Sequence, residues 1–324
     1  GIVRALGIDA EGSTLATTAT IGVAIARPGG IDDAHALLAR AEDALHDARD
    51  VGPDRIVLWD AQSARREARH LRIGWNGRLR RALHEDGLTL DCQPVVAIAD
   101  GRIDHHELLL RYIGADGRAV PPGEFLPSAE RSGLIVELDC WVIRAAIDLV
   151  ARHSTATDPV RLGVNLSAQT IEHVDVADLV ASLARRRGVD PSLLVFEITE
   201  TSAIANLERA STLARRLQGL GCRIALDDFG AGFGSFSYLK RIPLDILKID
   251  GDFVRGVLES PEDRAIVAAL VDVARATGRL TVAEFVEGPD VLEELRVLGV
   301  DFAQGYHLSR PAPASALLAA RAAR

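Results

Sequence analysis

From Cys92 onward, short apolar runs alternate with amphipathic helical patterns, and this alternation limits the fold more than any other feature. The apolar runs span 92–98, 104–112, 160–166, 193–198, 222–227, 245–249, 279–284 and 301–304. Helical patterns lie between most of them, at 136–153, 169–186, 201–219, 261–278 and 287–298. Strand alternating with helix predicts mostly parallel strands. Eight strands, the later ones in regular β/α succession, predict an α/β chain forming a TIM-like (β/α)8 barrel rather than an open sheet. The 324 residues exceed one average domain but suit a large barrel with a smaller piece, and 48% apolar residues supply its core. No repeat of solenoid period is visible.

The smaller piece lies ahead of the barrel. Residues 14–27 are rich in Thr, Val and Ile and predict β-structure, as does "DRIVLWD" at 54–60. Between them, 32–49 reads as an amphipathic helix with Ala34, Leu37, Leu38, Ala41 and Leu45 on one stripe. So few elements bury too little surface to stand alone. Residues 61–86 read as a charged helical connector whose arginines form a solvated face. The expected domains are therefore a small α+β piece over 1–60, the connector over 61–86 and the barrel over 87–324. The chain starts with Gly1 and contains no Met, so it is expected to be part of a longer protein.

The strands end in polar residues. Glu107 lies in "HHELLLRY", Asn165 ends "RLGVN", and Glu197 ends "LLVFE" with Glu200 just beyond. Asp227 and Asp228 end "RIALDD", Lys248 lies in "ILKID", Glu284 ends "LTVAE", and Gln304 follows "DFA". A β/α barrel brings such ends to one face, where its chemistry sits. Adjacent like charges such as Asp227 and Asp228 admit three readings. In the first, Gly230, Gly232 and Ser235 approximate a dinucleotide fingerprint with Asp250 as its ribose acid, although a serine replaces the third glycine and two carboxylates would flank a pyrophosphate. In the second, divalent cations make the paired charges tolerable. In the third, each acid is a helix cap or a solvated turn. Carboxylates about 4 Å apart repel by several kcal/mol when partly buried, so a convergent cluster needs protons or cations. Hard oxygen donors favour Mg²⁺ or Mn²⁺ over Zn²⁺. Two such ions sharing a ligand support phosphoryl chemistry, with Lys248 orienting the water or offsetting charge.

Composition excludes several functions. A net charge of −9 argues against a nucleic acid polymer held on a basic surface. Cys92, Cys140 and Cys222 have no metal-type spacing and suit a reducing compartment. The most apolar stretch, 134–151, is broken by Glu137, Asp139, Arg144 and Asp148, so no membrane segment is expected. His105, His106 and Trp141 read as core or surface residues. Phe233, Phe236 and Tyr238 read either as base-stacking groups or as loop anchors.

In order, "HELLLR", "VNLS", "FEITE", "ALDDFGAGFGSFSYLK", "LKID", "VAEFVE" and "QGY" resemble the EAL domain, the bacterial phosphodiesterase that linearises cyclic di-GMP. The resemblance covers about 88–322. "TATIGVAIA" with "LLARAEDALHDARDVGPDRIVLWD" is similar to the last third of a GGDEF domain, without its signature. The resemblance implies a two-metal hydrolysis of cyclic di-GMP to pGpG, with Mg²⁺ or Mn²⁺ as cofactors and Ca²⁺ inhibitory. It implies Glu107, Asn165, Glu197, Asp227, Asp228 and Glu284 as metal ligands, with Lys248, Glu107, Glu200 and Gln304 in catalysis. Substrate contacts would come from Gln93, Leu109, Arg111 and Glu287. Glu200 and Glu287 also match glutamates that steady the loop after Asp228. A homodimer through the EAL domain and a cytoplasmic location are expected, any membrane anchor belonging to an upstream region.

The sequence departs from that family in places. Leu108 replaces Ala, Tyr112 replaces Trp, and Ala231 and Phe233 replace Thr and Tyr. Phe285 stands where the family has Gly. Strand alternation predicts that Phe285 turns away from the site and joins the core. A positive φ there would instead strain it. The rival to an active enzyme is a silent cyclic di-GMP receptor, though every matched ligand is present. A cyclase would need an upstream nucleotide-binding half.

Overall fold

The structure, a computed structural model, describes residues 7–10, 13–16, 20–25, 37, 38, 41, 44, 45, 56–59, 74–114, 117–230, 236–316 and 318. The chain divides into two compact units, Gly1–Gly74 and Trp75–Arg324. In the first, β1 (Gly7–Ala10) pairs antiparallel with β2 (Ser13–Ala16). There β3 (Ile21–Val23) pairs parallel with β4 (Ile56–Leu58). The helix expected over 32–49 is helical at its few described positions, and residues 61–73 of the expected connector lie outside the described residues.

The second unit is a closed barrel of eight strands. They are β5 (Leu88–Ala97), β6 (Ile103–Ile113), β8 (Leu162–Leu166), β9 (Leu194–Thr199), β10 (Arg223–Phe229), β11 (Ile246–Ile249), β12 (Leu280–Ala283) and β13 (Phe302–Ala303). Two short strands, β7 (Ala119–Val120) and β14 (Ala312–Pro313), extend β6 and β5. Around the barrel, the pairings from β6 to β8 and on through β9, β10, β11, β12 and β13 are parallel, but β5 runs antiparallel to both β6 and β13. The turn between β5 and β6 explains this. Gly101, at φ +73°, closes a connection too short for a crossover, so the two strands form a hairpin.

Helices wrap the barrel: α1 (Leu126–Ser132), α2 (Ile135–His153), α3 (Ala168–His173), α4 (Val176–Arg187), α5 (Glu200–Ala205), α6 (Leu207–Gly219), α7 (Gly251–Gly256), α8 (Pro261–Ala276) and α9 (Pro289–Leu298). The helix expected over 169–186 is two helices, because the Asp175 carboxylate accepts from the Asp178 N–H and starts α4. The helix expected over 201–219 divides in the same way, with the Asn206 side chain capping α6. Residues 74–84 are helical, and Trp75, Leu79 and Ala82 pack with Phe125, Leu134 and Leu138. The later part of the expected connector is thus packed within the second unit.

Inside the barrel, Val95, Val195, Ala225, Ile246 and Val282 form one apolar cluster, with Phe302 against it. These residues come from β5, β9, β10, β11, β12 and β13, and they plug the barrel as inward-facing layers do.

Candidate active site

A strand repeats its facing every second residue, so the next inward layer lies two positions along. Two residues beyond Val195, Ala225, Ile246, Val282 and Phe302 stand Glu197, Asp227, Lys248, Glu284 and Gln304. On reversed β5 the step runs backward, from Val95 to Gln93. On β6 it runs from His105 to Glu107, and on β8 from Gly163 to Asn165. All eight strands therefore turn a polar residue inward at the same mouth of the barrel, above the apolar cluster, although neighbouring strands are staggered: Glu107 lies beside Gly163, Glu197 beside Ala225 and Lys248 beside Val282.

Register and bonding bear this out. Gln93 lies opposite Glu107 across β5 and β6, and Asn165 beside Glu197. Gln304 donates to Glu107 Oε2 at 2.7 Å and to Gln93 Oε1 at 3.3 Å, while Asn165 donates to Glu107 Oε1 at 2.8 Å. Lys248, 1% exposed, lies beneath them with Nζ at 2.6 Å from Glu197, 2.9 Å from Asp227, 2.9 Å from Glu284 and 3.5 Å from Glu107.

Asp228 breaks the alternation. Its φ is +54°, and the pairing of β10 with β11 shifts between Leu226 and Phe229. Such a bulge re-aims a side chain that pleating would turn away. Both aspartates consequently line one cavity, and oxygens of Asp227, Asp228 and Glu284 lie within 4.8 Å of one another.

The polar strand ends are not helix caps. Ser167, Thr199, Asp250 and Ser260 cap α3, α5, α7 and α8 through their own side chains. Asp250 is thereby committed to the Asp252 N–H at 2.7 Å, which removes the ribose acid of the dinucleotide reading.

Electrostatics report a large excess of negative charge. Four carboxylates share the Lys248 ammonium, and Asp228 adds a fifth acidic group beside Asp227 and Glu284. Burial pushes Glu284 up to about 8 despite Lys248. Glu197 is driven well above the ordinary range by burial, which Lys248 offsets only in part, and by Glu107 and Asp227. Asp228 is raised by burial, Asp227 and Asp250. Burial also opposes the charge on Glu107, but Lys248, Gln304 and Asn165 outweigh it and hold this carboxyl low. Burial works against charge on Lys248 as well, yet its four acidic neighbours keep it well above the usual lysine value. Glu197 Oε1 is buried without a hydrogen bond. Clustered hard oxygens, surplus negative charge and an orphaned carboxylate oxygen fit divalent cations.

The cavity above the layer measures about 510 Å³. Among the expected site residues, Gln93, Glu107, Leu109, Arg111, Asp227, Asp228, Glu284, Glu287 and Gln304 line it. Asn165 instead faces an adjoining cavity of about 380 Å³ that shares Leu109 and Pro122. Arg111 is oriented by Asp91 at 2.9 Å, and Gln93 by the Ser309 carbonyl at 2.9 Å. Glu200 stands behind the lining, where it accepts from the Gly230 N–H at 3.0 Å and bonds the Tyr238 hydroxyl. It holds the end of β10 and the turn at 236–240. Tyr238 is buried and packs edge-on to Phe229, so it anchors the loop, while Phe233 lies outside the described residues.

Phe285 overturns its expectation. It has φ +54°, is 52% exposed and lines the cavity, so it is not a core aromatic. Strand β12 ends at Ala283, before the pleat can turn this side chain toward the helices. Two cavity residues escaped the sequence reading. Arg255 and Tyr306 line the cavity, the first from α7, a helix too short for its periodicity to stand out. His105, read from the sequence as a core or surface residue, is a buried one, bonded to Asp104 at 2.8 Å and 3.9 Å from Glu197.

Comparison with known proteins agrees with this geometry. The chain is 35% identical to the cyclic di-GMP phosphodiesterase PdeB of Shewanella oneidensis over 91% of this chain and 34% of that protein. It therefore spans about a third of the length of such curated relatives. The structure titled PaMucR phosphodiesterase, c-di-GMP complex, aligns with a TM-score of 0.71 at 36% identity, over 75% of this chain and 99% of that one. The FimX EAL domain from Pseudomonas aeruginosa bound to c-di-GMP aligns with a TM-score of 0.69 at 31% identity, over 74% of this chain and 96% of that one. Residues 76–311 match the EAL domain, and the chain belongs to that family.

Proposed function

We propose that this chain hydrolyses one phosphodiester of cyclic di-GMP to give linear pGpG. The observation that carries the reading is the complete polar layer, one residue from each of eight strands, opening into a cavity of ligand size. Relatives named as cyclic di-GMP phosphodiesterases, and a related phosphodiesterase solved with c-di-GMP, support it. Glu107, Asn165, Glu197, Asp227, Asp228 and Glu284 would hold Mg²⁺ or Mn²⁺. Bound there, two such cations activate a water and offset charge on the phosphate. Gln304 and Asn165 fix the Glu107 carboxylate, and Lys248 gathers Glu197, Asp227 and Glu284 from below. Arg111 faces the phosphates, with Gln93, Leu109 and Glu287 shaping the substrate contacts. Glu200 keeps the Asp227–Asp228 turn in place through Gly230. Ca²⁺, with looser coordination, would inhibit.

The same proposal takes residues 1–60 as a GGDEF remnant, 61–86 as a connector whose later part packs on the barrel, and 87–324 as the catalytic domain, acting as a homodimer in the cytoplasm. The similarity of MucR, named a bifunctional diguanylate cyclase and phosphodiesterase, over 93% of this chain supports the remnant. Among the described residues no helix is long and apolar enough to cross a membrane. A receptor that binds without cleaving is the second reading, favoured by Phe285 beside Glu284. Incubation with cyclic di-GMP separates them: conversion to pGpG by the wild type and its loss in Glu107→Ala support the enzyme, while saturable binding without conversion supports the receptor.

A further inference from the structure

The geometry points to Phe285 as a specificity-determining residue whose ring, backed by the Arg255 guanidinium, forms a stacking platform for one planar base of the substrate. The inference rests on the cyclic di-GMP reading and adds a contact that the family's usual glycine cannot make.

Three separate features seat the ring. Left-handed backbone at φ +54° turns it out of the barrel wall. Gly251, at the start of α7, leaves room for it, since any Cβ there would collide with the ring. Arg255, one turn further along α7, places its guanidinium 4.7 Å from the ring centroid. Arg255 also pairs with Asp252 and so is held by its own helix. Half of Phe285 is exposed, and what it faces is the cavity above the carboxylates.

The ligand chemistry follows from this placement. Phe285 offers no donor or acceptor, so it suits a π face rather than a phosphate. A cation behind an aromatic ring favours a flat, polarisable partner on the ring. Phe285 adjoins Glu284, so a base stacked there brings its phosphodiester toward the acidic end of the cavity. A second arginine-backed ring lines the same cavity: Arg310 lies 4.5 Å from the Tyr306 ring centroid, and Tyr306 is 55% exposed. Two such rings suit a ligand with two bases.

Steady-state kinetics with cyclic di-GMP and with its abasic analogue, the cyclic ribose–phosphate diester that carries no aromatic group, test the platform. Phe285→Ala should raise KM for cyclic di-GMP at least about fivefold, the lower range for losing one base–aromatic stack, with a much smaller change in kcat. Phe285→Trp should restore KM. Arg255→Gln, which leaves the ring in place, should also raise KM. The loss of kcat/KM in Phe285→Ala should be larger for the dinucleotide than for the purine-free ester. An unchanged KM would overturn the inference. So would equal losses on both substrates, which would mean that the ring acts only by holding Glu284. A wild type that neither binds nor cleaves cyclic di-GMP would overturn the functional reading and this inference together; an active wild type with an indifferent Phe285→Ala would overturn this inference alone.

Discussion

Replacing Lys248 by Met removes the one cation that Glu107, Glu197, Asp227 and Glu284 share. Its ammonium lies within 3.5 Å of all four, and the side chain is 1% exposed. Methionine keeps the length and the apolar stem, so the loss is electrostatic. Breaking a buried pair by removing one partner costs about 3–5 kcal/mol. In a domain of this size each kcal/mol lowers Tm by about 2–4 °C, so in chelator at pH 8 the variant should melt about 6–20 °C below wild type. The pH dependence has a definite sign. Glu284 already stands near 8 in the folded protein against an ordinary 4.5, and losing Lys248 raises it further. The folded state then keeps protons that the unfolded state releases, so stability falls as pH rises from about 4.5. The deficit should be smaller at pH 6 than at pH 8. Mn²⁺ should raise the Tm of the variant more than that of wild type, because bound cations replace the missing charge. Differential scanning calorimetry in EDTA and in Mn²⁺ measures all of this. A melting temperature within about 2 °C of wild type in EDTA at pH 8 would refute the claim that Lys248 holds the cluster together.

Gly163→Ala should hinder turnover from below the site, because a Cβ there overlaps Glu197 Oε1 and lies 3.4 Å from the Glu107 Cα. A stability loss of about 1–3 kcal/mol by calorimetry and a higher Mn²⁺ requirement are expected. Asp139→Asn should stabilise the protein at neutral pH. Burial raises the Asp139 carboxyl above its usual 3.8, against hydrogen bonds from Thr170 and Ser167, and Asn keeps an acceptor for the Ser167 N–H. The gain should appear as pH rises through the raised value and vanish below about 3.8, as urea titration across pH would show. Glu200→Ala should free the Gly230 N–H and the buried Tyr238 hydroxyl, so limited proteolysis just beyond Gly230 should quicken and the loss of about 1–3 kcal/mol should lower the thermal midpoint by about 2–12 °C.

How much of this was legible follows from particular residues. The eight strands could be read because each carries an apolar run bounded by polar ends. The polar layer could be read because two of every four strand residues face inward, so Glu197, Asp227, Lys248 and Glu284 fall two places after apolar partners. The reversal of β5 was written in the Asp100–Gly101 turn but was masked by the apparent β/α rhythm around it. The breaks at Asp175 and Asn206 were hidden because apolar spacing continues across both caps. Asp228 and Phe285 were harder to place. Both sit at φ +54° just where a strand gives way, and alternation is a rule only inside a strand. For Phe285 the one available hint was that a glycine usually stands there.

The most direct test of the central account is the rate of cyclic di-GMP consumption by the purified chain as Mn²⁺ is titrated into a chelated sample, with products resolved by chromatography. The account predicts no conversion in chelator, a saturable rise as Mn²⁺ is added, pGpG as the product, and no rise at all in Glu107→Ala. Conversion that proceeds at full rate in excess chelator, or cyclic di-GMP left intact at saturating Mn²⁺ and Mg²⁺, would contradict it.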